Sequence, residues 1–121
     1  SELAGTLSYK SSNYFCEGDE LTGTVELNSE EAGRYTLSDW SFGTYQQCYE
    51  GPAASWGSLS FTDVCNQLTL EGVDNYGDPW TFDIVSLSGS TMVLNWSNAY
   101  GESGEVELVR EDGADWPEIS F

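Results

Sequence analysis

The stretch that decides the fold is residues 79–110, which read PWTFDIVSLSGSTMVLNWSNAYGESGEVELVR. Apolar side chains recur at every second position in three successive runs of this stretch. That two-residue period is typical of strands that bury one face. A short Ser-Gly-Ser link at 88–90 joins the first two runs, as a tight hairpin requires. The stretch therefore predicts a three-strand antiparallel meander with these side chains inward: Trp80, Phe82, Ile84, Met92, Leu94, Trp96, Val106 and Leu108.

The rest of the chain repeats this alternation in five further runs, at 3–9, 21–28, 34–37, 56–64 and 65–73. Turn-forming residues separate the runs, and no helical period lasts longer than one turn. The spacing predicts an all-β domain, an antiparallel meander of about eight strands that closes into a barrel, because closure leaves no unpaired edge. A β-sandwich is the alternative. Residues 11–20 are predicted to be a loop, and 38–49 either extends a strand or forms an ordered loop.

The length and the net charge limit the classes of function that this sequence allows. At 121 residues the chain is expected to form one domain. Its net charge of −18 comes from 21 acidic residues against three basic ones, Lys10, Arg34 and Arg110, and histidine is absent. Three cations neutralise too few phosphates for nucleic-acid binding. An acidic surface of this kind is typical of adaptation to salt, and it also admits calcium binding or inhibition by nucleic-acid mimicry.

No run of about 18 apolar residues is present, so we expect no transmembrane segment. The sequence starts at Ser-Glu-Leu without a basic-plus-apolar signal peptide, as a mature or trimmed chain would.

Three cysteines leave at least one thiol without a partner inside the chain. Cys48 and Cys65 are predicted to form a disulfide with Cys16 unpaired, closing a loop of about 18 residues worth roughly 3 kcal/mol in the chain-entropy model. The alternative is three buried thiols that act as small apolar side chains. A zinc site is not expected, because the sequence has neither histidine nor a Cys-x-x-Cys pair.

The second half of the chain resembles the lipocalin-like secreted and lipid-anchored proteins of Bacteroidetes. The resembling residues are the hairpin at 82–94, FDIVSLSGSTMVL, and the strand at 104–110 that ends in Arg110. They cover about a third of the chain. The first half departs from the lipocalin pattern, since it offers only Gly5-Thr6-Leu7 where a Gly-x-Trp is expected. The resemblance implies a small lipocalin-like barrel, extracellular, on the cell surface or in the periplasm, often encoded with glycan-uptake systems. It implies no catalytic residues.

Aromatic residues in or beside the predicted loops form the main candidate binding site. Flat aromatic faces stack on the apolar faces of sugar rings, while carboxylates and amides bind the hydroxyl groups. The alternative is that large aromatic side chains pack the loops onto the barrel. The candidate aromatic residues are Trp40, Tyr45, Tyr49, Trp56, Tyr76 and Tyr100, and their polar neighbours are Asp39, Gln46, Gln47, Asn75 and Asn98.

One turn, Asp74-Asn75-Tyr76-Gly77-Asp78, is the candidate calcium site. Calcium binds oxygen ligands, and Asp74, Asn75 and Asp78 supply two carboxylates and an amide. These residue types also favour plain turns, so the turn needs no metal to form. A second acidic group, Glu17, Asp19 and Glu20, is read mainly as a solvated loop.

An enzyme is not expected, because the sequence has no histidine for general base catalysis and no Gly-x-Ser-x-Gly motif. The leading hypothesis is a non-catalytic, exported module that binds a neutral glycan or another small molecule through loop aromatics. The second is a structural or interaction subunit that meets other surface proteins. An acidic mimic of nucleic acid comes third.

Overall fold

The computed structural model describes residues 3–14, 20–31, 33–44, 57–62, 67–73 and 76–117. Eight strands form within these ranges and no helix there is long and apolar enough to cross a membrane. The strands are β1 (Gly5–Asn13), β2 (Leu21–Glu31), β3 (Arg34–Leu37), β4 (Gly57–Thr62), β5 (Gln67–Val73), β6 (Pro79–Ser88), β7 (Thr91–Asn98) and β8 (Ser103–Arg110).

Each strand pairs antiparallel with the next along the chain, and β1 also pairs with β8. Leu7 lies opposite Val25 of β2 on one side and Arg110 of β8 on the other. The eight strands therefore form a closed barrel with lipocalin-like meander topology. This confirms the predicted fold and excludes the sandwich, which would leave two sheets with separate edges.

The predicted meander of β6, β7 and β8 is confirmed. The strands pair as predicted, and the side chains predicted to point inward are buried or partly buried. Met92, Leu94 and Val106 are fully buried, and Trp80 and Trp96 are nearly so. A β-bulge between Ile84 and Ser86 shifts the register of β6 against β7. Because of the extra residue, Val85 and Ser86 are both exposed, Val85 to 49%, and Leu87 packs back against the core.

The first strand is longer than the sequence predicts. β1 continues through Asn13, so the prediction that residues 11–20 form a loop is wrong for 11–13. Ser11 and Asn13 point inward and are buried despite their polarity. The Ser11 hydroxyl donates a hydrogen bond of 2.8 Å to the carbonyl oxygen of Phe42, which offsets the cost of burial. Because these inward residues are polar, the alternation of apolar side chains stops before them. The end of the strand could therefore not be predicted from that alternation.

The described part of the 38–49 stretch is an ordered turn at residues 39–44 that enters the barrel. The Asp39 carboxylate accepts hydrogen bonds from the Ser41 amide, the Ser41 hydroxyl and the Gly43 amide, at 3.0, 2.6 and 3.2 Å. Phe42 has a φ of 53°, in the left-handed region that a non-glycine residue adopts at a cost of about 1–2 kcal/mol. Burial of its whole side chain offsets that cost.

In an up-and-down meander, successive connections between strands lie at alternating ends of the barrel. We call one the loop end; there β1 meets β2, β3 meets β4, β5 meets β6, and β7 meets β8. The opposite end carries the β2–β3 and β6–β7 turns and the C-terminal tail. Trp116 in that tail is buried, its amide bonds the Gly89 carbonyl at 2.9 Å, and the Arg110 guanidinium lies 5.7 Å from its ring centroid. Trp116 therefore packs the C-terminal tail onto the body of the barrel.

Candidate functional site

Exposed aromatic side chains concentrate at the loop end. Among the described residues, the large apolar or aromatic side chains with the highest exposure are Tyr14, Val73, Tyr76, Val85 and Tyr100. All of these except Val85 adjoin the loop end. The three tyrosines are 66%, 74% and 50% exposed, respectively. We call Tyr14, Tyr76 and Tyr100 the rim tyrosines. Large rings held at one end of a rigid barrel offer flat faces to a ligand.

Tyr100 is held in place by the turn between β7 and β8. The Asn98 side-chain oxygen accepts hydrogen bonds from the amides of Tyr100 and Glu102, at 3.0 and 3.1 Å. The Asn98 amide group in turn donates to the Glu102 carboxylate at 2.8 Å. The Tyr100 hydroxyl donates to the carboxylate of Asp78 in the neighbouring connection. Two loop connections are therefore tied together through a candidate ligand residue.

A groove on the outer wall of the barrel opens beside the rim. Its volume is about 470 Å³. Asp83, Asn95 and Glu105 are directly opposite one another on β6, β7 and β8, so they form one row across three strands. Ser97 and Ser103 form the next row toward the loop end, and the Tyr14 amide bonds the Ser103 carbonyl at 2.8 Å. We call this the wall groove, and Tyr14 belongs to both it and the rim.

Sequence reasoning missed the wall groove. Its members occupy the outward positions of strands whose inward positions were read as core, and outward polar residues are common on any half-buried sheet. Tyr14 was missed because residues 11–20 were read as a polar loop. The sequence alone does not give the register between neighbouring strands. That register is what places Asp83, Asn95 and Glu105 side by side.

A second groove, of about 350 Å³, lies around Lys10 and Glu107 on β1 and β8. The other two cations pair elsewhere: Arg34 with Glu31 at 3.6 Å, and Arg110 with Asp112 at 3.0 Å. Since these are all the basic residues of the chain, no basic side chain lines the wall groove.

Two residues predicted to bind a ligand, Trp40 and Asp39, instead stabilise the fold. Trp40 was expected off the core register, and this is corrected: it is 1% exposed, with its ring centroid 5.0 Å from that of Trp80. The reason is Gly72, which has no side chain and leaves room for the Trp40 ring inside the barrel. Asp39 is engaged by the turn that it caps.

The other predicted residues divide into two groups. Tyr76, Asp78, Asn98 and Tyr100 lie together at the loop end. Within the described ranges no group of three acidic or cysteine side chains is placed to hold a metal ion, and calcium binding stays a prediction. These residues of the predicted sites lie outside the described ranges: Cys16, Glu17, Asp19, Tyr45, Gln46, Gln47, Cys48, Tyr49, Trp56, Cys65, Asp74 and Asn75.

The aromatic residues of the interior form one cluster that the structure adds to the sequence reading. Trp80 stacks on Trp96 with a centroid distance of 4.9 Å, and Phe42 meets Phe82 edge to face at 6.3 Å. Tyr9 joins at the edge of Phe42, and burial, with a smaller contribution from the Asp39 charge, raises the pKa of its hydroxyl. The cluster packs the loop-end half of the barrel.

Comparison of the chain with protein-family models, with curated proteins and with solved structures found no match in any of the three. The barrel that the Bacteroidetes resemblance implied is present, whereas membership of that family stays a prediction.

Proposed function

We propose that this protein is a non-catalytic, exported binding module that holds a neutral glycan at the loop end of its barrel. The observation that carries the proposal is the concentration of exposed tyrosines there, at the end of a barrel whose interior is packed with an aromatic cluster. An eight-stranded barrel is just wide enough for its own side chains, so outer surfaces are the natural place for a ligand larger than one small molecule.

The chemistry of the rim fits a sugar. A tyrosine ring has an apolar face for the C–H side of a pyranose and a hydroxyl that both donates and accepts. Asp78 adds acceptor oxygens beside Tyr100. Because Tyr100 is fixed by the Asn98 and Asp78 contacts, little conformational entropy is lost when a ligand stacks on it.

The module is proposed to bind without cleaving, so an oligosaccharide incubated with the protein should be recovered unchanged. Export to the cell surface or periplasm is part of the same proposal. It is supported by the Bacteroidetes resemblance and by the acidic composition, which keeps a protein soluble in salt.

A second candidate function is an interaction subunit of a surface complex. It is favoured by Val73, which is 43% exposed at the end of β5 and so places an aliphatic side chain beside the loop end. An aliphatic side chain contributes more to a protein interface than to a sugar site, since interface cores bury apolar area.

The test is a glycan array with and without calcium, followed by calorimetry on any hit. The Tyr76→Ala/Tyr100→Ala variant should bind about tenfold more weakly, on the basis of about 0.5–1.5 kcal/mol for each aromatic contact. Val85→Ala is the control, because Val85 is as exposed as Tyr100, at 49% against 50%, but lies on the wall away from the rim. Equal affinity of both variants with wild type would rule out the rim as the site. If no glycan binds and a surface protein is captured through Val73, the second function is supported.

A further inference from the structure

Glu102 places a carboxyl group inside the loop end of the barrel, in the part of the interior around Trp80 and Asn98 that we call the mouth. Its side chain is 2% exposed, and it continues the inward alternation of Gly104 and Val106 on β8. One carboxylate oxygen, Oε1, accepts a hydrogen bond of 2.8 Å from the Asn98 amide group, whereas Oε2 is buried and has no hydrogen-bond partner. A buried carboxylate oxygen without a donor lowers stability, so Oε2 indicates a donor that comes from outside the chain.

The same end of the interior holds a second unpaired polar atom. Trp80 lies opposite Gly72 on one side and Asn98 on the other. The Trp40 ring packs over Gly72, with its centroid 5.0 Å from that of Trp80, and its indole Nε1 is buried without a hydrogen-bond partner. An acceptor on Glu102 and a donor on Trp40 are therefore both unpaired along one row of the interior. A hydroxyl group pairs with either kind of atom, because it both donates and accepts.

Asn98 connects the buried carboxyl group to the rim. Its side-chain oxygen accepts hydrogen bonds from the amides of Tyr100 and Glu102, and its amide group donates to the Glu102 carboxylate. The backbone of the stacking residue and that of the carboxylate residue are thus fixed relative to each other, which lowers the entropy cost of binding. Oε2 is closed to solvent in this structure, so a ligand group reaches it when side chains at the mouth change rotamer, as is common on binding.

We propose that Glu102 determines which neutral glycan binds, because the sugar unit that stacks on Tyr100 directs one hydroxyl group into the mouth to donate a hydrogen bond to Oε2. A carboxylate only accepts hydrogen bonds, and a neutral sugar supplies the donor without a second charge. Ring stacking tolerates different sugars, whereas a buried acceptor rejects a sugar whose hydroxyl group points elsewhere, since the acceptor then stays unpaired. This inference rests on the proposed function, since it concerns the glycan bound at the rim.

The experiment measures affinity by calorimetry for neutral tetramers of glucose, mannose and galactose with the same linkage. Mannose and galactose each differ from glucose in the direction of one hydroxyl group. Wild type should prefer one tetramer by about tenfold, and Glu102→Gln should bind that tetramer about thirtyfold more weakly and lose most of the preference. A neutral array glycan outside these three is tested in the same way against its epimer.

Two further variants make the comparison specific. Glu71→Gln is the matched control, because it removes the same charge from an exposed position beside Gly72, and it should retain both affinity and preference. Glu102→Asp, which shortens the side chain by one methylene group, should lose the preference as Glu102→Gln does. If Glu71→Gln weakens binding as much as Glu102→Gln, the effect is one of overall charge and the inference is overturned.

Stability without a ligand separates a binding role of Glu102 from a structural one. Glutamine keeps an acceptor for the Asn98 amide group and removes an unpaired buried charge, so Glu102→Gln should melt at the wild-type temperature or above it. A lower melting temperature together with wild-type affinity would assign Glu102 to the fold alone and overturn the inference.

The inference and the proposed function fail in different ways. If Tyr76→Ala/Tyr100→Ala weakens binding of all three tetramers while Glu102→Gln keeps wild-type affinity and preference, the inference is wrong and the proposed function stands. Equal affinity of wild type for the three tetramers has the same consequence. If wild type binds no neutral glycan, in solution or on the array, both are wrong.

Discussion

Glycines at inward strand positions decide where the large rings sit. An added Cβ at each would lie within 3 Å of an aromatic ring from elsewhere in the chain. Two of the pairs are cross-strand partners on consecutive strands, whereas Trp40 reaches Gly72 from a turn far along the chain, so a local pattern cannot reveal that third pairing. The pairs are Gly23 with Tyr9, Gly72 with Trp40, and Gly104 with Trp96.

We predict that Gly104→Ala destabilises the barrel by about 2–3 kcal/mol, near the upper end for overpacking. Its Cβ would overlap the Ser12 carbonyl oxygen and lie 2.6 Å from the Trp96 indole nitrogen, which donates to that oxygen at 3.2 Å. Gly72→Ala is the matched comparison, because there the close contacts, at 2.9–3.1 Å, are all to the Trp40 side chain, which can shift. Urea unfolding should show the larger loss at Gly104, and the reverse order would contradict this account.

Tyr9 should make stability fall at alkaline pH. Burial, and secondarily the Asp39 charge, raises its pKa above the ordinary value of 10.0 in the folded protein. A raised folded pKa means that the unfolded chain loses the proton first, so the stabilising contribution is complete below pH 10 and is lost as pH rises through the folded pKa.

The measurement is urea unfolding at several pH values from about 8 to 11.5, in wild type and Tyr9→Phe. The variant should lose less stability than wild type above pH 10. Parallel curves would show that other groups cause the decline.

At the scale of elements, the 39–44 turn is the piece that converts a simple meander into a packed barrel. It brings Trp40 and Phe42 against Phe82 of β6, at 5.9 and 6.3 Å between centroids. Asp39 holds the turn through its three hydrogen bonds.

Asp39→Ala should therefore destabilise the protein by about 2 kcal/mol, the scale of losing hydrogen bonds to a charged acceptor. Asp39→Asn, which retains one acceptor oxygen, should lose less. Thermal unfolding is the measurement, and near-ultraviolet circular dichroism should show loosened packing of the tryptophans. An unchanged melting temperature in Asp39→Ala would mean that the turn is held by Phe42 burial alone.

At the scale of the whole molecule, charge governs the response to cations. A net charge of −18 draws in any divalent ion, so stabilisation by calcium alone does not identify a site. The predicted turn offers two carboxylates at most, which corresponds to an affinity of about 10⁻⁴–10⁻³ M. At millimolar calcium the gain is about 1 kcal/mol, a shift of about 4 °C in melting temperature.

We predict that calcium raises the melting temperature above that in sodium chloride of equal ionic strength, and that Asp74→Asn/Asp78→Asn loses the difference. Asp78 also accepts from Tyr100, so Tyr100→Phe is the control for loss of that contact. An equal response of wild type and the double variant would assign the effect to screening.

The predicted disulfide between Cys48 and Cys65 also concerns the whole molecule, because it would join two separate connections of the barrel. Cys48 precedes β4 and Cys65 follows it, and β4 spans about 20 Å at about 3.3 Å per residue. A disulfide requires Cα atoms within about 7 Å, so a Cys48–Cys65 bridge needs one connection to run back along the wall. Both cysteines lie outside the described residues, and the bridge stays a prediction.

The all-β class, the number of strands and the inward faces of the β6–β8 meander could be determined from the sequence alone, whereas the end of β1 could not. The reason is that a two-residue period and a Gly-containing turn are local properties, set by neighbours along the chain. Met92, Leu94 and Val106 were assigned inward on this basis and are fully buried.

Tertiary structure alone decided which polar and aromatic residues form the candidate site. Trp40 looked like a loop aromatic and is a core residue, because the space it fills is left by Gly72, on a strand distant in sequence. Asp83, Asn95 and Glu105 looked like scattered outward residues and form one row, because strand register sets them side by side. Barrel closure, by pairing β1 with β8, then brings Tyr14 to the edge of that row. Each of these placements depends on contacts between distant residues, which no local period encodes.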